Sequence, residues 1–265
     1  MAKSPAERAT GSSPARRPTS KAAVPPSPPP GGYVHWSRDA AVGLFAVLPL
    51  WLVYEGARLA LSPEERNGAE HLLLQQIHRL GPYGHLALSL AFGLLIAGAA
   101  RSLIRRRVPW MRVAAVIVLE GAVYALLLGP LSSAMATSAM RVLAAVPAGS
   151  RLASDLVGAL GAGIFEELVF RLGLLPGLAW LGLQALRGWS LPRWLAGVFA
   201  VVGSAIVFSW FHHACGQPYE QGVFLYRVMA GILLGVLMWF RGIGVCVYTH
   251  TLYDLWFYLT VADAS

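Results

Sequence analysis

The chain has 265 residues, 56% of them hydrophobic and 13% charged, with a formal charge of +8. An ordinary soluble domain carries about 25% charged and about 45–50% apolar residues. The composition therefore excludes a soluble globular domain and predicts an all-α, polytopic transmembrane helical bundle. The basic residues cluster where membrane topology needs them, so the charge gives no reason to expect a nucleic-acid partner.

Residues 1–36 differ in kind. "MAKSPAERATGSSPARRPTSKAAVPPSPPPGG" is rich in Pro, Ser, Ala and Arg and has almost nothing to bury. A disordered, basic, Pro-rich cytoplasmic tail is expected there. It lacks the apolar h-region of a cleavable secretory signal. Its bases suit anionic lipid headgroups, but a solvated tail is the simpler reading.

A spanning helix needs roughly 20 mostly apolar residues. Seven such segments follow in chain order, at 40–60, 84–100, 113–131, 152–186, 194–213, 222–240 and 243–261. The fourth is too long for one crossing, so Gly173, Pro176 and Gly177 are expected to end or kink it, and an eighth span is the alternative count. "SSAMATSAMRVLAAVPAGS", between the third and fourth, reads as a short interfacial or re-entrant helix. Arg and Lys before the first span, Arg101, Arg105, Arg106, Arg107 and Arg112 after the second, Arg187 and Arg193 after the fourth and Arg241 after the sixth all fall on one side. The positive-inside rule then puts the N-terminus in the cytoplasm, "SPEERNGAEH" outside and, with seven spans, the C-terminus outside. Cys215 and Cys246 are not in a C-x-x-C pair, and both read as packing residues.

The informative residues are charges inside these spans, where each costs about 2.5–3.5 kcal/mol on insertion scales. "GAGIFEELVFRLGLLPGL" carries Glu166, Glu167 and Arg171. On an α-helix Glu167 and Arg171 are one turn apart and can pair, while Glu166 is turned about 100° away. The pair reads as an internal ion pair between helices, which leaves Glu166 as a functional candidate. "FSWFHHACG" adds His212 and His213 to the fifth span, and "YTHTLYDLW" adds His250 and Asp254, four apart, to the seventh. A carboxylate, a histidine and a His–Asp pair on three spans point to one joint site. A carboxylate held out of water suits a general base, a neighbouring histidine can share its proton, and a second can donate to an oxyanion. These are the parts of an amide hydrolase. The same residue types also ligate Zn²⁺, which activates water. H-E-x-x-H is absent and no serine nucleophile stands out. Glu120, in "VIVLEGAVYALLL", reads as structural, pairing with Arg227 or lining the cavity. Glu55 and Arg58 are three apart and placed to pair. His71, His78 and His85 carry no motif.

The order E-E-x-x-x-R, F-x-x-x-H, H-x-x-x-N/D on successive membrane helices resembles the CAAX protease and bacteriocin-processing (CPBP, or Abi) family of intramembrane endopeptidases. Here it reads Glu166-Glu167-Leu168-Val169-Phe170-Arg171, then Phe208 to His212, then His250 to Asp254. "RVMAGILLGVLMWFRGIGVCVYTH" is similar to that family's Gly-punctuated helix leading into the third motif. The resemblance covers roughly residues 152–260. It implies Glu166 as the base that activates water with help from His212, Glu167 and Arg171 as supports, and His250 and Asp254 at the oxyanion. The spacing from Phe208 selects His212; His213 either caps the helix or serves instead. Many members have Asn where this chain has Asp254. An ionised Asp would repel an oxyanion, so Asp254 must be protonated, orient His250 or bind a metal. The family implies either no cofactor or a divalent metal such as Zn, held by Glu166, His212, His250 and Asp254.

The resulting expectation is a disordered tail (1–36), N-terminal membrane helices (37–151) and a catalytic membrane core (152–262). Such a protein would sit in a bacterial cytoplasmic (inner) membrane and cut a membrane-anchored protein or peptide. The rival readings are a non-proteolytic immunity or scaffold protein, and a proton- or metal-coupled transporter.

Overall fold

The computed structural model describes residues 31–58, 83–140, 152–214 and 217–262. Every regular element among them is helical. A short α1 (Tyr33–Ser37) leads into α2 (Ala40–Arg58), α3 (Gly84–Arg106) and α4 (Trp110–Met140). The next helix, α5, runs over 152–185 and changes its winding on the way. An α segment (Leu152–Gly161) gives way to wide π turns (Ala162–Glu166 and Leu168–Leu174), and a second α segment (Leu175–Ala185) completes it. Then come α6 (Trp194–Ala214), α7 (Gln221–Arg241) and α8 (Ile243–Ala262).

Six stretches are long and apolar enough to cross a bilayer: Ala40–Ala57, Leu86–Arg106, Trp110–Thr137, Leu156–Gly188, Trp194–Ala214 and Gln221–Arg241. They match the first six expected spans. The expected seventh, α8, is not among them, because His250, Asp254 and its threonines and tyrosines dilute its apolar residues. It is instead the centre of the bundle. Residues 243–251 are buried without interruption, and α8 packs against α2, α4, α5 and α7. Large apolar side chains such as Leu86, Leu90, Leu94 and Ile104 of α3 face outwards, as lipid contact requires.

Close helix approach in a membrane depends on small residues, since apolar area alone does not drive helices together there. A Cβ on Gly43 of α2 would lie 2.5 Å from Ile243 Cγ2 and 2.9 Å from Gly244 N of α8. A Cβ on Gly163 of α5 would fall inside the shell of Thr251 Oγ1 and 2.9 Å from Thr251 N. Glycine is what lets α2 and α5 reach the α8 backbone. Gly242, the single link between α7 and α8, has φ 85°, and a Cβ there would meet the Ser37–Arg38 backbone.

Several boundaries differ from expectation. Gly173, Pro176 and Gly177 do not end α5. The winding returns from π to α at Leu174–Leu175, and Pro176 stands in the first turn of the second α segment. Residues 132–140 are not a separate re-entrant helix but the end of α4, which runs on past Pro130; 141–150 lie outside the described residues. So do residues 1–30 of the tail, the "SPEERNGAEH" segment, His71, His78 and Cys215. Residues 31–36 were expected in the tail, yet Tyr33 and Trp36 seat α1 on the bundle, with Trp36 buried.

Two arginines are paired where α1 meets the bundle. Arg106 forks onto both oxygens of Asp39 (2.5 and 2.9 Å), and Asp39 Oδ1 also accepts from the Ala41 and Val42 N–H groups that open α2. Glu120 pairs not with Arg227 but with Arg241 (Nε to Oε1 2.7 Å, Nη2 to Oε2 2.7 Å), and the Tyr33 hydroxyl donates to it. Ser89 Oγ donates to Glu55 at 2.9 Å, tying α3 to α2. Cys246 is buried and its thiol faces Leu234 O at 3.3 Å, consistent with packing.

Two outcomes follow. Gly163→Ala should cost about 1–3 kcal/mol of stability by overpacking. Adding Thr251→Ala should recover only part of that, because the backbone nitrogen still obstructs; thermal unfolding in detergent measures both. The Arg106 hydrogen bond holds the Asp39 carboxyl below its ordinary value of 3.8. The stability this confers is therefore complete above that value and is lost as pH falls through the lower folded-state value. The half-exposed arginine limits it to about 0.2–1 kcal/mol. Melting temperatures of wild type and Asp39→Asn should therefore draw together only as pH falls below 3.8 and through the lower folded-state value.

Candidate active site

The wide turns of α5 carry the E-E-x-x-x-R motif. Glu167 lies between two π stretches and Arg171 inside the second. Such turns are uncommon and recur at functional sites, because they re-aim side chains that a regular α-helix would stagger. Glu167 and Arg171 still meet, Oε1 to Nη1 at 3.1 Å. Both are sealed, at 0% and 1% exposure.

Each partner is held from another helix. His250 Nδ1 of α8 lies 2.8 Å from the same Glu167 Oε1. Arg171 Nη2 donates to Gly231 O of α7 at 3.4 Å, and its guanidinium lies 4.4 Å above the Phe208 ring of α6. Phe208, first residue of the second motif, is thus an aromatic floor for the cation. Its ring also packs edge-on against Phe170, His212 and His250. One ion pair therefore draws α5, α6, α7 and α8 together.

The other carboxylate faces a different partner. Glu166 Oε2 lies 3.8 Å from His212 Nε2. His212 Nδ1 donates to Phe208 O at 3.0 Å, so the neutral ring turns its Nε2 lone pair to Glu166. Glu166 is 4% exposed, the His212 side chain 18% and the Asp254 side chain 19%. Accessibility thus rises from the Glu167–Arg171 pair towards these three groups. His250 Nε2 faces Asp254 Oδ2 at 3.5 Å, which puts His250 between two carboxylates.

The motif residues therefore come together, with one division. Glu166, His212, His250 and Asp254 join Glu167 and Arg171. His213 does not: its Nδ1 donates to Gln217 O at 3.2 Å and its ring stacks on Phe224, which caps the end of α6. The Glu167–His250 contact was not foreseen, since 83 residues separate the two and no spacing rule spans that gap. Nor were the neighbours that α7 contributes. Tyr226 shares a short hydroxyl contact with Tyr253, and Arg227 Nη2 donates to Gln217 Oε1 at 2.5 Å.

Among the described residues no three His, Cys, Asp or Glu side chains converge as ligands for a divalent ion.

A buried carboxylate–histidine network at the heart of a membrane helix bundle has the make-up of a membrane-embedded hydrolase. Residues 147–256 match the family model described as type II CAAX prenyl endopeptidase Rce1-like, the CAAX protease family that the three motifs resemble. The matched segment holds all three motifs and supports a membrane protease role. No curated protein and no solved structure matches the chain.

Breaking the sealed pair from one side should be severe. Arg171→Met leaves Glu167 without its guanidinium and should cost about 3–5 kcal/mol. Glu167→Gln in the same chain should restore much of that loss, as thermal unfolding in detergent would show.

Proposed function

We propose that the protein is an intramembrane endopeptidase of the glutamate type, acting on a membrane-anchored protein or peptide. The contact that carries this reading is Glu166–His212. With Nδ1 of His212 donating to Phe208 O, two acceptors face each other at 3.8 Å. Two acceptors so placed suit one shared hydrogen donor, the role a nucleophilic water fills in hydrolysis.

In this reading Glu166 takes a proton from water as the water oxygen attacks the scissile carbonyl carbon. The C=O π pair moves onto oxygen and gives a tetrahedral oxyanion. Its collapse reforms C=O, breaks the C–N bond and passes the proton, by way of Glu166 or His212, to the leaving amine. Glu167 and Arg171 fix the helix that carries Glu166. Asp254 orients His250 from one side as Glu167 does from the other, and the two line the wall where the carbonyl docks. The apolar exterior of the helices supports a place in the bilayer for the enzyme, where a membrane-anchored substrate could reach it. We place the chain in a bacterial cytoplasmic membrane.

A terminal-peptide comparison of membranes expressing wild type or Glu166→Gln at equal levels tests the reading. New protein termini should appear only with wild type. Identical termini, with both proteins folded, would shift the assignment to a non-proteolytic scaffold.

A further inference from the structure

Among the motif residues the oxyanion finds at most one donor, the Nε2–H of His250. His250 Nδ1 is held by Glu167 Oε1 at 2.8 Å, and Nε2 faces Asp254 Oδ2 at 3.5 Å. An ionised Asp254 only accepts, and it repels developing negative charge. Of the two residues that the resemblance assigns to the oxyanion, His250 has one nitrogen committed to Glu167 and an ionised Asp254 offers no donor, so a second donor must come from elsewhere.

Arg227 of α7 offers what they lack. It stands one helical turn before Gly231, whose carbonyl accepts from Arg171, so it lies on the α7 face turned towards the motif helix. Its Nη2 is tethered to Gln217 Oε1 at 2.5 Å, and the Gln217 backbone N–H donates to His212 O at 3.2 Å. The guanidinium is therefore anchored to the turn that ends the His212 helix. Its Nη1 is buried and has no hydrogen-bond partner among the described residues. The charges of Glu166 and Asp254 both act on Arg227, and Arg227 acts in turn on His212, so it lies within the field of the site. A buried N–H of a permanent cation, without a hydrogen-bond partner and within the field of the base, is a preorganised donor for charge that appears only during reaction.

We propose that Arg227 is a catalytic residue whose Nη1 donates a hydrogen bond to the oxyanion of the tetrahedral intermediate. The inference rests on the proteolytic reading above. No proton leaves the guanidinium: the oxyanion gains a hydrogen bond as the π pair moves onto it and gives it up when C=O reforms.

The test uses purified full-length protein and an internally quenched peptide that spans a cleavage site found in the terminal-peptide comparison. Arg227→Gln should lower kcat about 100-fold with KM within about threefold, the pattern of a lost oxyanion donor. Arg227→Lys should keep more activity than Arg227→Gln, since it keeps the cation. Asp254→Asn added to Arg227→Gln should recover at least about tenfold, because the amide supplies an N–H beside the same carbonyl. Melting temperatures near that of wild type establish that the variants fold. An Arg227→Gln protein with wild-type kcat, a loss confined to KM, or a kcat loss that Asp254→Asn leaves unchanged would each overturn the assignment. No cleavage by wild type would sink the proteolytic reading and this inference with it. Cleavage by wild type but not by Glu166→Gln, with Arg227→Gln unimpaired, would sink this inference alone.

Discussion

The Glu167 carboxylate is shared between a guanidinium and an imidazole, and much of the molecule is arranged around that sharing. Its Oε1 meets Arg171 Nη1 from its own helix and His250 Nδ1 from α8, and Arg171 reaches on to Gly231 of α7 and the Phe208 ring of α6. Charges are rarely buried this deeply without a reason, because desolvation consumes most of what their attraction returns. In a membrane bundle the alternative is worse, since an unpaired charge would face hydrocarbon. The network therefore specifies which helices meet and at what depth, a task that apolar contacts between lipid-like side chains do poorly. The glycines serve the same end. Gly163 brings α5 against the Thr251 backbone one residue from His250, so the ion pair and the close approach fix the same crossing.

A rigid, sealed pair next to a more accessible one divides support from chemistry. Glu166 and Glu167 are adjacent in sequence, yet one meets a guanidinium in a closed core and the other a histidine whose lone pair faces it. The π turns make this division possible. Neighbouring residues on one helix point in different directions, and the widened turns aim each at a different helix, Glu167 at α8 and Glu166 at α6.

The sequence discloses whatever depends on local spacing. Six spans follow from runs of apolar residues, and Glu167–Arg171 and His250–Asp254 follow from a separation of four. What it conceals are contacts that depend on depth. Glu120 lies mid-span by count, which suggested Arg227, but α4 is longer than one crossing and its Glu120 sits level with Tyr33 and Arg241 where α1 meets the bundle. α8, although read as a span, is less apolar than the outer helices, because a helix whose first half is surrounded by protein is free to carry polar groups that lipid would forbid. The change of winding in α5 leaves no mark that residue spacing alone reveals.

Charge balance ties the unusual third motif to α7. Three carboxylates, Glu166, Glu167 and Asp254, lie in or beside the buried network, against two guanidiniums, Arg171 and Arg227. His250, between two of those carboxylates, has an acceptor for a proton on each ring nitrogen, and a doubly protonated ring brings the cluster to neutrality. With Asn in place of Asp254 the same set would carry one positive charge in excess. Asp254 and Arg227 are in that sense complementary. The aspartate gives up the amide donor that Asn would provide, and it supplies the negative charge that lets a second arginine reside beside the base. An enzyme built this way would stabilise its oxyanion with a guanidinium instead of a side-chain amide, on an otherwise shared arrangement of glutamate and histidines.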